Sequence, residues 1–259
     1  MALEHILPVL FKNAPTDWRA AFCAAPPKTP AIRVTLVTLL TNGLVFQLAK
    51  EDQSQLQKIC EPVQLVAGQV LCEPVQHGTP KVYFLDGACV ALMVENQNNK
   101  LAVGLVGSEG MIGLGAVLGS RHENLRFRVQ TSGTAWVSES ADLALLLHQR
   151  PGMLWVISVH LWQLAEHVAT MSASVQFDDI VTRLAYWLVL SADRAHTQRL
   201  HLTHEHLARM LGVRRVSITL AAGSLKEQGL IAYQRGALDI LDLPGLRKIA
   251  LPIRPESTV

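Results

Sequence analysis

The stretch of sequence that decides the fold is LTHEHLARMLGVRRVSITLAAGSLKEQGLI, residues 202–231. Thr203 can accept a backbone N–H of a first turn, which predicts that a helix begins directly after it. Ala208 leaves room for a second helix to cross, and Gly212, four residues later, suits a sharp turn that needs a positive φ. Ile218 then lies where a second helix would pack back on the first. This spacing predicts a helix-turn-helix.

The second helix is predicted over residues 214–228, ending at Gly229. Recognition helices place their N-terminal residues against base edges in the major groove. Arginine side chains fit the acceptors of guanine, and hydroxyl groups can bind phosphates or bases. We therefore expect double-stranded DNA as the partner. The expected contacts on the helix are Arg214, Arg215, Ser217 and Thr219, with Thr203 and Arg235 as neighbours of the phosphates.

The residues that follow predict a wing. The run LIAYQRGALDIL, residues 230–241, consists of two short apolar segments around Arg235-Gly236, as in a β-hairpin. Residues 182–235 contain eight Lys or Arg and three Asp or Glu, whereas the whole chain has a net charge of only +2. Positive charge is therefore concentrated in this segment, as binding to DNA phosphates requires.

The N-terminal half has a different pattern. Short β-branched runs between Val63 and Leu147 are interrupted at Ala67-Gly68, Asp86-Gly87 and Ser132-Gly133, which predicts an antiparallel barrel or sandwich. Because strands come first and helices follow, the fold class is α+β with two domains. The expected divisions are an irregular extension at 1–42, ending in a short helix, a β-domain at 43–150, a helix at 151–176 and the DNA-binding domain at 177–259.

The helix at 151–176 carries a heptad pattern. Apolar residues recur seven apart, and a second set falls three residues after the first, as at the a and d positions of a coiled coil. A helix packed only on its own domain is the alternative. We favour a homodimer interface, formed by Leu154, Ile157, Leu161, Leu164, Val168, Met171 and Val175.

Composition limits the other possibilities. The four cysteines, at 23, 60, 72 and 89, are far apart and form no C-x-x-C, which disfavours a clustered metal site and fits reduced thiols. No secretory signal is evident, and the longest uncharged runs are too short for a membrane helix. We expect a cytoplasmic protein that does not associate with membranes.

Taken in order, these segments resemble the Crp/Fnr family of bacterial transcription regulators. The residues that carry the resemblance are those of the quoted stretch, the segment YQRGALDILD and, more loosely, YFLDGACVALM and VGLVGSEGMIGLGAVLG. The resemblance covers about residues 43–250. It implies a β-roll sensor like the cyclic-nucleotide-binding domain, a central dimer helix and a winged helix-turn-helix that reads a palindrome. A small-molecule effector and RNA polymerase are the further partners that it implies.

The sequence departs from the family at two sites. Nucleotide-binding members carry G-E-[LI] and then R-[ST]-A around the cyclic phosphate, but Leu114 stands at the position of the glutamate and no R-[ST]-A occurs. A buried phosphate without its arginine is costly, so we expect cyclic AMP not to bind well. The recognition helix likewise has Val216 and Leu220 where the best-known members have E-x-x-x-R. The candidate effector pocket, with its effector unknown, is Gly113, Leu114, Arg126 and Arg128.

Other patterns in the sequence suggest different functions. The run GLGAVLG, residues 113–119, suggests an enzyme that uses a dinucleotide, but its glycine spacing and the residues after it fit turns in a β-roll better. His201, His204 and His206 do not converge as metal ligands should. No catalytic arrangement is apparent, and we expect neither catalysis nor a cofactor. A regulator gated by a cyclic nucleotide, and a winged helix that binds protein only, stay open as alternatives.

Overall fold

The computed structural model describes residues 39–71, 79–96, 99–120, 125–234 and 237–250. Within these ranges no helix combines the length and the apolar character needed to cross a bilayer. The first part consists of short helices around two antiparallel sheets. In chain order it contains a 3₁₀ turn (Leu39–Thr41), α1 (Gly43–Phe46), α2 (Lys50–Ile59), β1 (Glu61–Leu65), β2 (Val70–Leu71), β3 (Lys81–Asp86), β4 (Cys89–Asn96), β5 (Asn99–Val106), β6 (Met111–Ile112), α3 (Leu114–Val117), β7 (Leu125–Thr131), β8 (Gly133–Glu139) and α4 (Ser140–Gln149).

The two sheets have the strand orders β1-β8-β3-β6 and β2-β7-β4-β5, and every neighbouring pair is antiparallel. Alternation along β7 explains how the second sheet divides its two faces. Phe127 and Val129 pack in the core between the sheets. Arg126, Arg128 and Gln130 occupy the alternate positions, so they lie on the outer face. This arrangement is the antiparallel β-roll that the sequence predicts.

Asn42 connects the start of the described chain to the roll. Its Oδ1 accepts the N–H groups of Leu44 and Val45, which caps α1. Its Nδ2 donates to the carbonyl oxygens of Leu85 and Gly110, each at 2.8 Å. The side chain is fully buried, and these four hydrogen bonds satisfy it. The sequence predicts a short helix before Asn42-Gly43. The 3₁₀ turn Leu39–Thr41 lies at that position. Asn42 then caps a second helix, α1, which the sequence does not predict.

The long helix α5 (Met153–Phe177) follows Pro151 and Gly152. It requires one correction to the predicted interface, because the two sets of heptad positions face different ways. Ile157 and Met171, from the d positions, are buried in cores of their own chain, and Leu164 packs against a third. The a positions Leu154, Leu161 and Val175 are exposed. The helix thus packs its d positions against its own chain, as expected for the alternative of a helix that packs on its own domain. Most of its a positions are exposed.

The C-terminal part contains α6 (Ile180–Ala195), β9 (Arg199–Leu200), α7 (His204–Leu211), α8 (Arg215–Glu227), β10 (Ile231–Gln234), β11 (Ala237–Ile240) and α9 (Leu243–Ala250). The strands form a sheet in the order β10-β11-β9. The pairing of Ile231 with Ile240 and of Gln234 with Ala237 is that of the predicted hairpin. Four helices and a small antiparallel sheet make this part a winged helix-turn-helix.

The core of this C-terminal part extends onto the β-roll. Leu184, Trp187 and Leu207 belong to the same buried cluster as Cys89 and Met93 of β4. Gly212, in the turn between α7 and α8, lies against β5, and a Cβ atom there would be 3.1 Å from Cδ1 of Leu101. The outer face of the second sheet therefore serves as the surface on which the helix-turn-helix packs.

Candidate nucleic-acid interface

The helix-turn-helix is built as its sequence spacing predicts. Thr203 Oγ1 accepts the N–H of His206 at 3.1 Å and caps α7. Gly212 ends α7 with φ +65°, a left-handed conformation that glycine adopts without strain. Ala208 and Ile218 are buried in the same core cluster, where α7 and α8 cross. The local features predicted from residues 202–231 are confirmed.

The second helix is one residue shorter at each end than the predicted 214–228. Arg214 has an extended backbone and is the N-cap, whereas Gln228 is the C-cap. Arg214 makes no side-chain cap of its own, so its guanidinium is available to a partner. The physical reason for the difference is that the turn after Gly212 needs one more non-helical residue before α8 begins.

One face of α8 is exposed along its first turns. Its exposed residues lie one, four and five positions after the first of them, which places all four on one side of a helix. They are Arg215, Val216, Thr219 and Leu220. Val216 is 68% exposed and Leu220 71% exposed. Sequence reasoning noted these two apolar residues only as departures from a family pattern. Their full exposure beside arginine marks them as part of the same surface, which we call the α8 face.

The hydroxyl residues of the predicted site are less free than the arginines. Thr219 Oγ1 donates to the carbonyl oxygen of Arg215 at 3.1 Å and lies 3.0 Å from Nδ1 of His204. Ser217 is half-buried. Thr219 therefore helps to hold the two helices together, and the two hydroxyl residues offer less to a ligand than Arg214 or Arg215.

Electrostatics also favour the two arginines. Among the described residues, neither Arg214 nor Arg215 has an ion-pair partner. Two other arginines of this part are paired: Arg209 with Glu205 at 3.6 Å, and Arg247 with Asp193. Burial and then the charge of Arg215 lower the pKa of His204. Two adjacent unpaired arginines therefore lie at the start of α8.

Arg235, the last predicted DNA neighbour, lies outside the described residues. The same holds for Cys23 and Cys72. In the ranges given above, no group of three or more His, Cys, Asp or Glu is placed to hold a metal ion. His204 packs edge-on against Tyr233, while His206 faces the other way, toward the β-roll.

The candidate effector pocket is not assembled as predicted. Leu114 is buried in the core beneath the helices of the roll, and Gly113 caps α3 with φ +89°. Arg126 and Arg128 lie on the outer face of the sheet β2-β7-β4-β5. Arg128 lines a cavity there, and Gly113, Leu114 and Arg126 do not line it. The strand alternation described above is the reason. Leu114 offers a nucleotide no polar group, and the expectation that cyclic AMP binds poorly stays a prediction.

Comparison with known proteins agrees with this geometry. Residues 182–249 match the model of the Crp-like helix-turn-helix domain. A search of curated proteins finds no match for the chain.

Solved structures of low sequence identity share the fold. A Crp/Fnr-family regulator from Eubacterium rectale is 16% identical, with a TM-score of 0.61 over 81% of this chain and 98% of that one. A Crp-family regulator from Thermus thermophilus is 18% identical, with a TM-score of 0.59 over 73% and 96%. The regulator from Xanthomonas campestris that responds to c-di-GMP is 17% identical, with a TM-score of 0.58 over 75% and 100%.

These findings define the class. The C-terminal part is a Crp-like helix-turn-helix domain, and the described chain has the fold of Crp/Fnr transcription regulators. The matched domain and the shared fold make the chain a DNA-binding transcription regulator.

Proposed function

We propose that the chain binds DNA as a homodimer, with one α8 in the major groove of each half of a palindromic operator. The α8 face carries this proposal. It presents Arg214 and Arg215 without ion-pair partners, at the end of the helix that enters the groove. A bidentate arginine can read the O6 and N7 atoms of guanine, so we expect at least one guanine in each half-site. Thr203 and Arg235 would lie beside phosphates.

Val216 and Leu220 extend this proposal to a second base. Neither side chain can donate or accept a hydrogen bond, and both are exposed on the α8 face. In the major groove the apolar feature of a base pair is the C5-methyl group of thymine. We therefore expect each half-site to contain thymine next to the guanine, with its methyl group against Val216 or Leu220.

The dimer would form along the outer side of α5. Leu154, Leu161 and Val175 are exposed there, and Trp162 of the same helix is 67% exposed. A row of large apolar side chains along one helix is costly to leave in water and is typical of an interface. A second copy of α5, related by a two-fold axis, would bury this row and would place two α8 helices for two half-sites.

The proposed organisation retains the divisions predicted from the sequence. Residues 43–150 would sense an effector, 151–176 would form the dimer, and 177–259 would bind DNA in the cytoplasm. Residues 1–42 precede them. If the protein activates transcription, some part of its surface would contact RNA polymerase.

The experiment that tests the proposal is selection of bound duplexes from a random pool by the full chain, without added ligand. We expect an enriched inverted repeat whose half-site centres lie about 34 Å apart, one turn of the double helix. Bulk binding that depends on salt but enriches no sequence would contradict the proposal. A complete lack of binding would instead favour a winged helix that contacts protein.

A further inference from the structure

A cavity of about 260 Å³ lies between the β-roll and the helix-turn-helix. Strand β7 contributes Arg128 and Gln130 from its outward face, and β5 contributes Lys100. Helix α7 contributes His206 and Arg209 from the opposite side. The two parts of the chain therefore share this cavity, and anything bound in it would contact both.

The cavity is basic. Its walls contain three permanent cations and two histidines, and no carboxylate is among the residues that line it. Lys100 and Arg209 have ion-pair partners outside the cavity, at Glu95 and Glu205. Arg128 donates one hydrogen bond, to the carbonyl oxygen of Gly68 at 3.0 Å, and has no ion-pair partner among the described residues. Its charge is therefore available to a bound anion.

Two buried polar atoms of residues that line the cavity lack partners among the described residues. Gln130 is 5% exposed, and its Nε2 donates to Ser191 Oγ at 2.9 Å, but its Oε1 accepts nothing from the described residues. Nε2 of His206 is likewise buried without a partner. Buried acceptors are rarely left unpaired, because the lost hydrogen bond costs free energy. Gln130 Oε1 therefore requires a donor.

We propose that this cavity is the binding site of a small anion that also carries hydroxyl groups, such as a sugar phosphate. The anionic group would bind between Arg128 and Arg209, where charge-assisted hydrogen bonds are strongest. A ligand hydroxyl would donate to Gln130 Oε1. A DNA backbone is a poor occupant, because Gln130 is buried on the β-roll side.

The location of the site gives the ligand a regulatory role. A ligand held by β7 and α7 together stabilises the arrangement in which the helix-turn-helix packs on the roll, since it loses contacts when the two parts move apart. That consequence rests on the proposed function, whereas the binding site itself does not. Burial first, and then the charges of Arg209 and Arg128, lower the pKa of His206.

The test is a calorimetric titration of the full chain, without DNA, using four probes. Ribose 5-phosphate has both the anion and the hydroxyls, ribose has only the hydroxyls, and inorganic phosphate has only the anion. Citrate carries a hydroxyl group and carboxylates but no phosphate, so it distinguishes a site for carboxylates from a site for phosphates. We expect saturable binding of ribose 5-phosphate or citrate, and about tenfold or greater weakening when either the anion or the hydroxyls are missing.

Variants locate the binding. Arg128→Gln and Arg209→Gln should each weaken binding about tenfold or more. Arg126→Gln is the matched control, because Arg126 lies on the same face of β7 but does not line the cavity. Thermal melting of each variant verifies its fold. If no probe binds saturably, or if Arg126→Gln weakens binding as much as Arg128→Gln, the proposal is overturned. Inorganic phosphate binding as tightly as ribose 5-phosphate overturns its hydroxyl part. Because no DNA is present, failure here is independent of the operator selection.

Discussion

Nδ1 of His204 lies 3.0 Å from Oγ1 of Thr219, and this contact joins the two helices of the helix-turn-helix on their exposed side. The Thr219 hydroxyl donates its single proton to the carbonyl oxygen of Arg215, so Nδ1 of His204 carries the proton of the contact between the two side chains. Burial and then the charge of Arg215 lower the pKa of His204. Thr219 therefore supports α8, and Arg215 is the group that we propose to reach a base.

Replacing Arg215 tests this division of roles. We expect Arg215→Ala to weaken binding to the selected operator by about 1–3 kcal/mol, because a bidentate contact with guanine is lost. Fluorescence anisotropy with operator and scrambled duplexes at one salt concentration measures the effect. Lys226→Ala, at the far end of α8, is the control and should change binding little. Equal losses on both duplexes would mean that Arg215 touches only phosphate.

Removing single methyl groups from DNA tests the roles of Val216 and Leu220. Deoxyuridine in place of thymidine deletes the C5-methyl group and preserves every hydrogen bond of the base pair. We expect one or two such replacements in each half-site to weaken binding by about 0.8 kcal/mol each, the value of one buried methylene-sized group. Duplexes with one replacement at each thymine in turn, compared by anisotropy, identify the positions.

A double-mutant cycle then assigns each methyl group to a side chain. In Val216→Ala or Leu220→Ala, the replacement at the contacted thymine should cost nothing further, while replacements elsewhere keep their effect. If the operator is selected but deoxyuridine is neutral at every position, the thymine contact is wrong and the guanine contact is unaffected.

Substitutions on opposite sides of α5 separate dimerisation from folding. We expect Leu161→Glu to produce monomers, because it places a charge on the exposed row without disturbing the core. Ile157→Ala, on the buried side, should leave the dimer and lower the free energy of unfolding by about 2–5 kcal/mol. Sedimentation velocity and urea unfolding measure the two effects. A Leu161→Glu variant that stays dimeric would place the interface elsewhere.

The sequence predicts most of the DNA-binding part because its constraints are local. A cap at Thr203, a small residue at Ala208 and a glycine with φ +65° at Gly212 each act within one or two helical turns. The heptad of α5 was predictable as a pattern but not as a direction. Whether Ile157 and Met171 face a second chain or their own depends on what α5 packs against, and no local rule contains that information.

The cavity and the cap at Asn42 were out of reach for a similar reason. Asn42 donates to Leu85 and Gly110, which are distant in sequence. Arg128 and Arg209 line the same cavity only because α7 packs on the outer face of the second sheet. Alternation along β7 was visible in the sequence and could have placed Arg128 and Gln130 on one face. What lies opposite that face follows from the three-dimensional packing alone.

Acid should destabilise the protein partly through His167, which lies between α5 and α6. Its Nδ1 is 3.2 Å from the hydroxyl of Tyr186, and its Nε2 is buried without a partner among the described residues. Burial, and then the nearby Arg194, lower its pKa from 6.5 to about 4. Between these two values the unfolded chain takes up a proton that the folded chain refuses, so the free energy of unfolding falls as the pH falls.

Urea unfolding between pH 6.5 and 5 measures this effect, in a range where most carboxylates stay ionised. One proton contributes at most about 1.4 kcal/mol per pH unit, and partial exposure of the ring reduces that value. His160, His204 and His206 also have lowered pKa values and add to the slope in the same direction. We therefore expect His167→Gln to make the slope shallower without removing it. A slope that is identical in the wild-type protein and in His167→Gln would show that the ring protonates as easily in the folded chain as in the unfolded one, and that the space between α5 and α6 admits water.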